Sequence, residues 1–510
     1  MNDNVVTKKG NKTMLKHAIF TTCALAISFS VHAAEGGTVT YDDNFGVKTG
    51  WDLSSDDAYL GSRAGCFEGL VRIGYDTKLG PSLAESWTQT GPTVWEFKLR
   101  KGVKFQNGEP FNAETVVNAL NNRLKAPVPA RAFSSKLIAS VEPVGEDVVK
   151  ITTIEPSVLL PAQMASPATT ILAPAAYKSG KIDPVGTCTG PFKITEVDPN
   201  QYMILAPNHE YWGGMPKLAG GRVNFVPDAD TRATQIRTGE AQISRLVPPW
   251  TVKTIESTAG VKVAPIPSPR ITELLLNNAK PPFNNVKVRQ AIQAAIDSIG
   301  IAESIYEGAV KGATMPFAPG EPWAQQEPEP AYDVDKAKAL LAEAGVAPGS
   351  LTVGLLAYTA KTELKDVAAI IQAQLQEIGI KVDVRVADYS AIEPDLLSGN
   401  FDMALMSRGY TTDVAEPVGF LNADYTCGGS YNISHYCNEE TDKLIKSAYT
   451  VAEPDKRYAI YKEAVRKLYE EAVSVFLIHE TVFDAYSDKL ENYKPHPLNY
   501  YVLTKDLATK

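Results

Sequence analysis

Histidine, cysteine and long apolar runs are what this 510-residue chain has little of: six histidines, five cysteines, and one extended apolar stretch. The histidines are scattered, and none is spaced like a metal pair on a helix face. No GxSxG, HExxH, Walker A loop, paired CxxC or strand-following GxGxxG is present, which argues against an enzyme. The apolar stretch, AIFTTCALAISFSV at residues 18–31, is too short and wrongly flanked to span a bilayer. Positive charge is also in deficit, with 50 Lys and Arg against 59 Asp and Glu. Such a surface disfavours nucleic acid and anionic lipid as partners.

What is present begins with an export signal. Lys8, Lys9, Lys12 and Lys16 precede the apolar run, and VHA ending at Ala33 fits the small-residue cleavage rule. Residues 1–33 therefore read as a signal peptide, for which Met14 is an alternative start. Cys23 lacks the leucine expected three residues earlier in a lipidation signal, so a soluble periplasmic protein is expected rather than a lipoprotein. Cleavage removes four Lys and one Asp, leaving 46 basic against 58 acidic side chains, a balance of about −12. Four cysteines then remain, an even number in a compartment that permits disulfides. Cys427 and Cys437 flank the short loop GGSYNISHY and form the natural first pair; Cys66 and Cys188 pair by elimination.

At this length two or three lobes are expected, with room for a cleft between them. WEFKLRKGVKF alternates Trp95, Phe97 and Leu99 inward, and QNGEPFNAETVVNAL passes through a turn into a helix with Asn112 as its N-cap. From Ile271 a second series starts with ITELLLNN. In VKVRQAIQAAIDSIGI, Val288, Ala291, Ile292, Ala295, Ile296 and Ile299 recur every three or four residues and predict one buried helix face. A Pro-rich crossing follows, then a helix stopped by Gly345, the strand LTVGLLAY, the helix ELKDVAAIIQAQLQEIGI, and the strands KVDVRVAD and FDMALMS. Alternation of strand and helix predicts an α/β protein with a mostly parallel sheet in this half.

Several strings, in order, carry a resemblance: PSLAESW from Pro81, WEFKLRKGVKFQNGEPFNAETVVNAL from Trp95, VGTCTGPFKI from Val185, NHEYWGG from Asn208, DADTRATQIRTGEAQI from Asp228 and LLLNNAKPPFNNVKVRQAIQAAID from Leu274. Together they resemble the peptide/nickel (family 5) class of extracytoplasmic solute-binding proteins, which serve ATP-driven (ABC) importers. The resemblance covers nearly all of the mature chain. It implies a two-lobed periplasmic-binding-protein fold (class II-like, cluster C) with an extra subdomain on the first lobe and a hinge between lobes. The expected division is 34–75, 186–270 and 486–510 for lobe I, 76–185 for the subdomain and 271–485 for lobe II.

Ligands of α/β sheets sit beyond the carboxyl ends of strands, and FDMALMS delivers Arg408, Tyr410 and Asp413 there. The resemblance places Asp413 where peptide-binding members hold a ligand's α-amino group, and Tyr410 where they carry a tryptophan. Alternatively, Asp413 caps a turn before Pro417 and pairs with Arg408. Arg408 departs from the apolar pattern of the peptide binders, and its fork suits a ligand carboxylate. By the same resemblance Arg131 and Phe133 fall near the chelate site of nickel-binding members, and Tyr59 and Arg63 lie on a helix lining one cleft wall. His435, inside the Cys427–Cys437 loop, is the candidate metal contact. Each of these has a plainer reading as a loop, core or ion-paired residue.

The expectation is a monomeric, non-enzymatic receptor without a resident cofactor. Its cargo is a short peptide or a related molecule bearing an amine and a carboxylate, and its partner an inner-membrane ABC permease with its ATPase. The alternative cargo is a nickel or cobalt chelate with a histidine- or opine-type metallophore. A secreted hydrolase is the remote alternative.

Overall fold

The structure is a computed structural model. It describes residues 36–47, 51–130, 133–326, 328, 332–359, 361, 363–411 and 414–510. Arg131 and Asp413, and the expected signal peptide, lie outside the described residues.

Among the described residues the main sheet has eleven strands. Its path runs Ile380–Ala387, Leu351–Tyr358, Met403–Gly409, Val261–Leu276, Ser474–Ser487, Ile243–Ser244, Thr38–Asp43, Gly220–Phe225, Tyr202–Pro207 and Phe192–Asp198. Two antiparallel strands, Val261–Leu276 and Ser474–Ser487, belong to both halves of this sheet. Val261 to Pro267 pair with Ser487 to Thr481, and Ile271 to Leu275 pair with His479 to Ser474, with a register break between Pro267 and Ile271. Pro267 and Pro269 bring no N–H to the ladder, which fits the break falling there.

Beyond the break, Leu351–Tyr358 runs parallel to both Ile380–Ala387 and Met403–Gly409. The helix Leu364–Glu377 makes the crossover, burying Leu364, Val367, Ala368, Ile371 and Leu375. The sequence pointed to a mostly parallel sheet here, but the two long strands and Lys311–Gly312 add antiparallel pairs, so the sheet is mixed. Nor does the predicted face continue through Ile299. The helix Val286–Ala295 ends at Ile296, whose backbone is extended, and Asp297 caps a new helix, Ser298–Tyr306. Ile299 is left exposed, because the break resets the helical phase.

A separate four-stranded antiparallel sheet comprises Ala84–Gly91, Val94–Leu99, Val148–Thr153 and Ile138–Pro143. Trp95, Phe97 and Leu99 point into its core. The helix Ala113–Leu124 covers it, opened by a reciprocal Asn112–Thr115 capping box with both bonds at 3.0 Å.

Disulfides join Cys66 to Cys188 and Cys427 to Cys437. Closing the short second loop stabilises by roughly 3 kcal/mol in the chain-entropy picture. Thiol titration of mature protein, denatured without reductant, is expected to find no free cysteine; two free thiols per chain would mean that one bridge is absent, and four that both are.

Candidate functional site

The crevice follows from the break in the two long strands. Where Pro267–Arg270 leave the ladder, space opens between the carboxyl end of Met403–Gly409 and the segment 497–500 near the chain's end. It has two adjoining chambers, of about 160 and about 90 Å³, which share Pro269 and Leu498. Tyr59, Arg270, Gly409, Thr411, Asn499 and Tyr500 line the larger, and Glu321, Trp323, Thr77 and Ala415 border the smaller. A separate cavity of about 660 Å³ lies between Phe67, Glu68, Tyr75, Tyr211 and Tyr501. The crevice is the better candidate because both halves of the sheet build it, at strand ends.

Arg270 begins the second half of its strand, opposite Gly409. Its guanidinium donates to the Ser407 carbonyl at 3.0 Å and to Ser407 Oγ at 2.8 Å, and lies 3.6 Å from Glu480. The side chain remains 42% exposed. Glu480 also receives Lys361 at 2.8 Å, Ser407 Oγ at 2.5 Å and Thr272 Oγ1 at 2.9 Å. Burial alone would raise its pKa, but Lys361, Arg270 and the Ser407 hydrogen bond override that and bring it to about 2. Two cations therefore share one buried carboxylate at the crevice edge.

The residues expected from sequence are spread more widely. Tyr59 is in the crevice wall, its ring 5.5 Å from that of Tyr500. Arg408 faces the other way from Ser407, as alternation along a strand requires. Its fork closes on Asp424 at 2.6 and 2.7 Å, and its guanidinium lies over the Tyr431 ring at 4.2 Å. Burial works against its charge, and the Asp424 carboxylate outweighs that, raising its pKa. Expected as a free fork for ligand, Arg408 is instead committed to Asp424, which the helix Val418–Tyr425 supplies.

Tyr410, expected on the cleft wall, is core: 1% exposed, its ring 5.1 Å from Phe317. The strand ends at Gly409, and the next side chain turns beneath residues 317–321. Phe133 is fully buried in the core of the four-stranded sheet. Arg63 is 3% exposed and ion-paired with Asp43 at 2.8 Å, a carboxylate that Arg245 also meets at 3.1 Å. These three side chains are structural in this conformation. His435, half-buried with a backbone φ of 50°, has its Nε2 3.3 Å from the Leu396 carbonyl, and neither residue lines the crevice. Among the described residues no cluster of three His, Cys, Asp or Glu could hold a metal ion.

Sequence reasoning passed over Arg270, Glu321 and Tyr500. Arg270 had a signal, an arginine immediately before a buried strand; Glu321, in a Pro-rich crossing, had none.

Two α/β halves strung on paired crossing strands, with a crevice at the crossing, define a two-lobed binding protein. The family model for bacterial extracellular solute-binding proteins, family 5 Middle, matches residues 78–432. The chain belongs to this family. A dipeptide-binding protein of Escherichia coli strain K12 is 27% identical, over 88% of this chain and 89% of that protein. The nickel-binding protein NikA of Staphylococcus aureus is 26% identical, over 86% and 88%. The crystal structure of a nickel ABC transporter from Bacillus halodurans superimposes with a TM-score of 0.81 at 26% identity, covering 93% of this chain and all of that one. No helix among the described residues is long and apolar enough to cross a membrane.

Two outcomes follow. Arg408→Ala removes the two charge-assisted bonds to Asp424, which lies near buried Glu273, and is expected to cost about 3–5 kcal/mol. A fall in urea midpoint, partly recovered by adding Asp424→Leu, is the check. Glu480, with a folded pKa of about 2 against an ordinary value near 4.5, contributes stability above about pH 4.5 that is lost as pH falls toward 2. Melting temperatures measured from pH 5 to 2.5 should fall more steeply for the wild type than for Glu480→Gln.

Proposed function

We propose that this protein is the substrate receptor of an ATP-driven importer and that its cargo is a short peptide or similar small zwitterion held between the lobes. It performs no chemistry on that cargo, works as a periplasmic monomer and hands the cargo to a membrane permease. The single observation that carries the reading is Arg270: a half-exposed guanidinium on a residue that lines a small crevice built by both halves of the sheet. A guanidinium there meets a carboxylate in charge-assisted bonds worth roughly 1.5–3 kcal/mol. The two chambers lie below the range of about 300–1,000 Å³ usual for drug-sized ligands, which favours one or two residues over a long peptide. The resemblance implies Asp413, two residues after Thr411 in the sequence, as an amine contact, and Tyr59 lines the same larger chamber as Thr411. The proposed division is residues 34–75, 186–270 and 486–510, then 76–185, then 271–485; its 270/271 boundary falls at the register break, whereas its 485/486 boundary falls within the ladder, opposite Val263 and Lys262.

A nickel or cobalt chelate is the second reading, supported by the nickel-binding relative. Its carboxylates would engage Arg270 in the same way.

Native mass spectrometry of gently purified protein, with elemental analysis, decides between the two. A peptide-sized adduct without metal is expected; nickel or cobalt with an organic chelator would replace that reading. Stripped protein titrated calorimetrically with a pool of alanyl dipeptides should bind at least one. Arg270→Ala should weaken that one at least tenfold but leave its amidated form, already weak, nearly unchanged. Equal losses for both forms would remove Arg270 from carboxylate binding.

A further inference from the structure

We infer that Glu321 is the acceptor for a cationic group of the cargo, an ammonium or guanidinium, in the smaller chamber of the crevice. The inference rests on the zwitterion reading and adds to it a second recognition residue and the orientation of the cargo.

Glu321 follows Gly320, whose φ of +98° turns the Pro-rich crossing into the crevice. Its carboxylate is held in place by the protein. Trp323 Nε1 donates to Oε2 at 2.9 Å, and the Tyr410 hydroxyl donates to the carboxylate while accepting from the Ala318 N–H at 3.2 Å. These are neutral donors. Among the described residues no Lys, Arg or His comes within ion-pairing distance of Glu321. The remaining wall is uncharged: Thr77, Pro267, Pro269, Ala415, Pro497 and Leu498. A carboxylate so enclosed is costly to keep charged. Burial pushes its pKa up to about 7, against the pull of the Tyr410 and Trp323 hydrogen bonds. An entering cation supplies the missing partner in a setting of little screening.

The adjoining chamber has the opposite character, because Arg270 stands at its wall. Since the two share Pro269 and Leu498, a small zwitterion can place its amine at Glu321 and its carboxylate at Arg270. Tyr410 then has a stated purpose: buried, it never touches cargo, and it aims Glu321.

The test uses the alanyl dipeptide that binds most tightly in the pool above, with its N-acetylated form, on wild-type protein and Glu321→Gln. Glutamine keeps an oxygen for Tyr410 or Trp323 and removes the charge. Expected is a loss of tenfold or more for the free dipeptide in the variant, with the N-acetylated form bound weakly and equally by both proteins. Undiminished binding of the free dipeptide by Glu321→Gln overturns the inference alone, as do equal losses for both forms. Failure of the wild type to bind any dipeptide overturns the cargo reading, and this inference with it. A second measurement needs no variant. Tyr410 is the titratable neighbour of Glu321 and stays neutral throughout, its pKa raised by burial first and by Glu321. Lowering pH from 7.5 to 5.5 should therefore weaken wild-type binding of the free dipeptide progressively, whereas flat affinity over that window overturns the inference.

Discussion

The ladder between Val261–Leu276 and Ser474–Ser487 is the constraint on which the rest depends. Each strand is long enough to serve both halves of the sheet, so the halves are joined by backbone hydrogen bonds rather than by a linker. Prolines 267 and 269 interrupt the ladder at one point, and the interruption is where the two halves can change angle and where the crevice opens. On the proposed reading the hinge and the binding site are one feature. On that reading Arg270, the last residue of the break before Ile271 resumes the ladder, registers any closure directly.

Electrostatics near the crossing divide into committed and available charge. Asp43 is enclosed by Arg63 and Arg245, and Arg408 by Asp424; these pairs are buried and hold the lobes' interiors together. Such pairs cost much to break and little to leave alone. Arg270 and Glu321 differ. The first shares a single carboxylate with Lys361 and stays half exposed, and the second has only neutral donors. Unbalanced charge of opposite sign in adjoining chambers is what a small dipolar cargo would neutralise.

Much of the fold is legible in the sequence, because period two and period 3.6 are imposed by burial along short stretches. Trp95, Phe97 and Leu99, the Asn112 cap and the helix stop at Gly345 all sit where local chemistry puts them. Sheet direction is less legible, since an antiparallel partner drawn from two hundred residues away leaves no local mark. The site was read least well. Strand alternation was visible, but which neighbour would claim Arg408 was decided by Asp424, sixteen residues on and delivered by a helix. Tyr410 looked like a wall because nothing in the sequence says that residues 317–321 fold over it.

The most direct measurement is a crystal structure of the protein carrying the solute with which it is purified. The account predicts density filling the crevice between Arg270 and Glu321, with the halves closed about the Pro267–Arg270 break. Density confined to the larger cavity between Tyr75 and Tyr211, with the crevice empty, would contradict it.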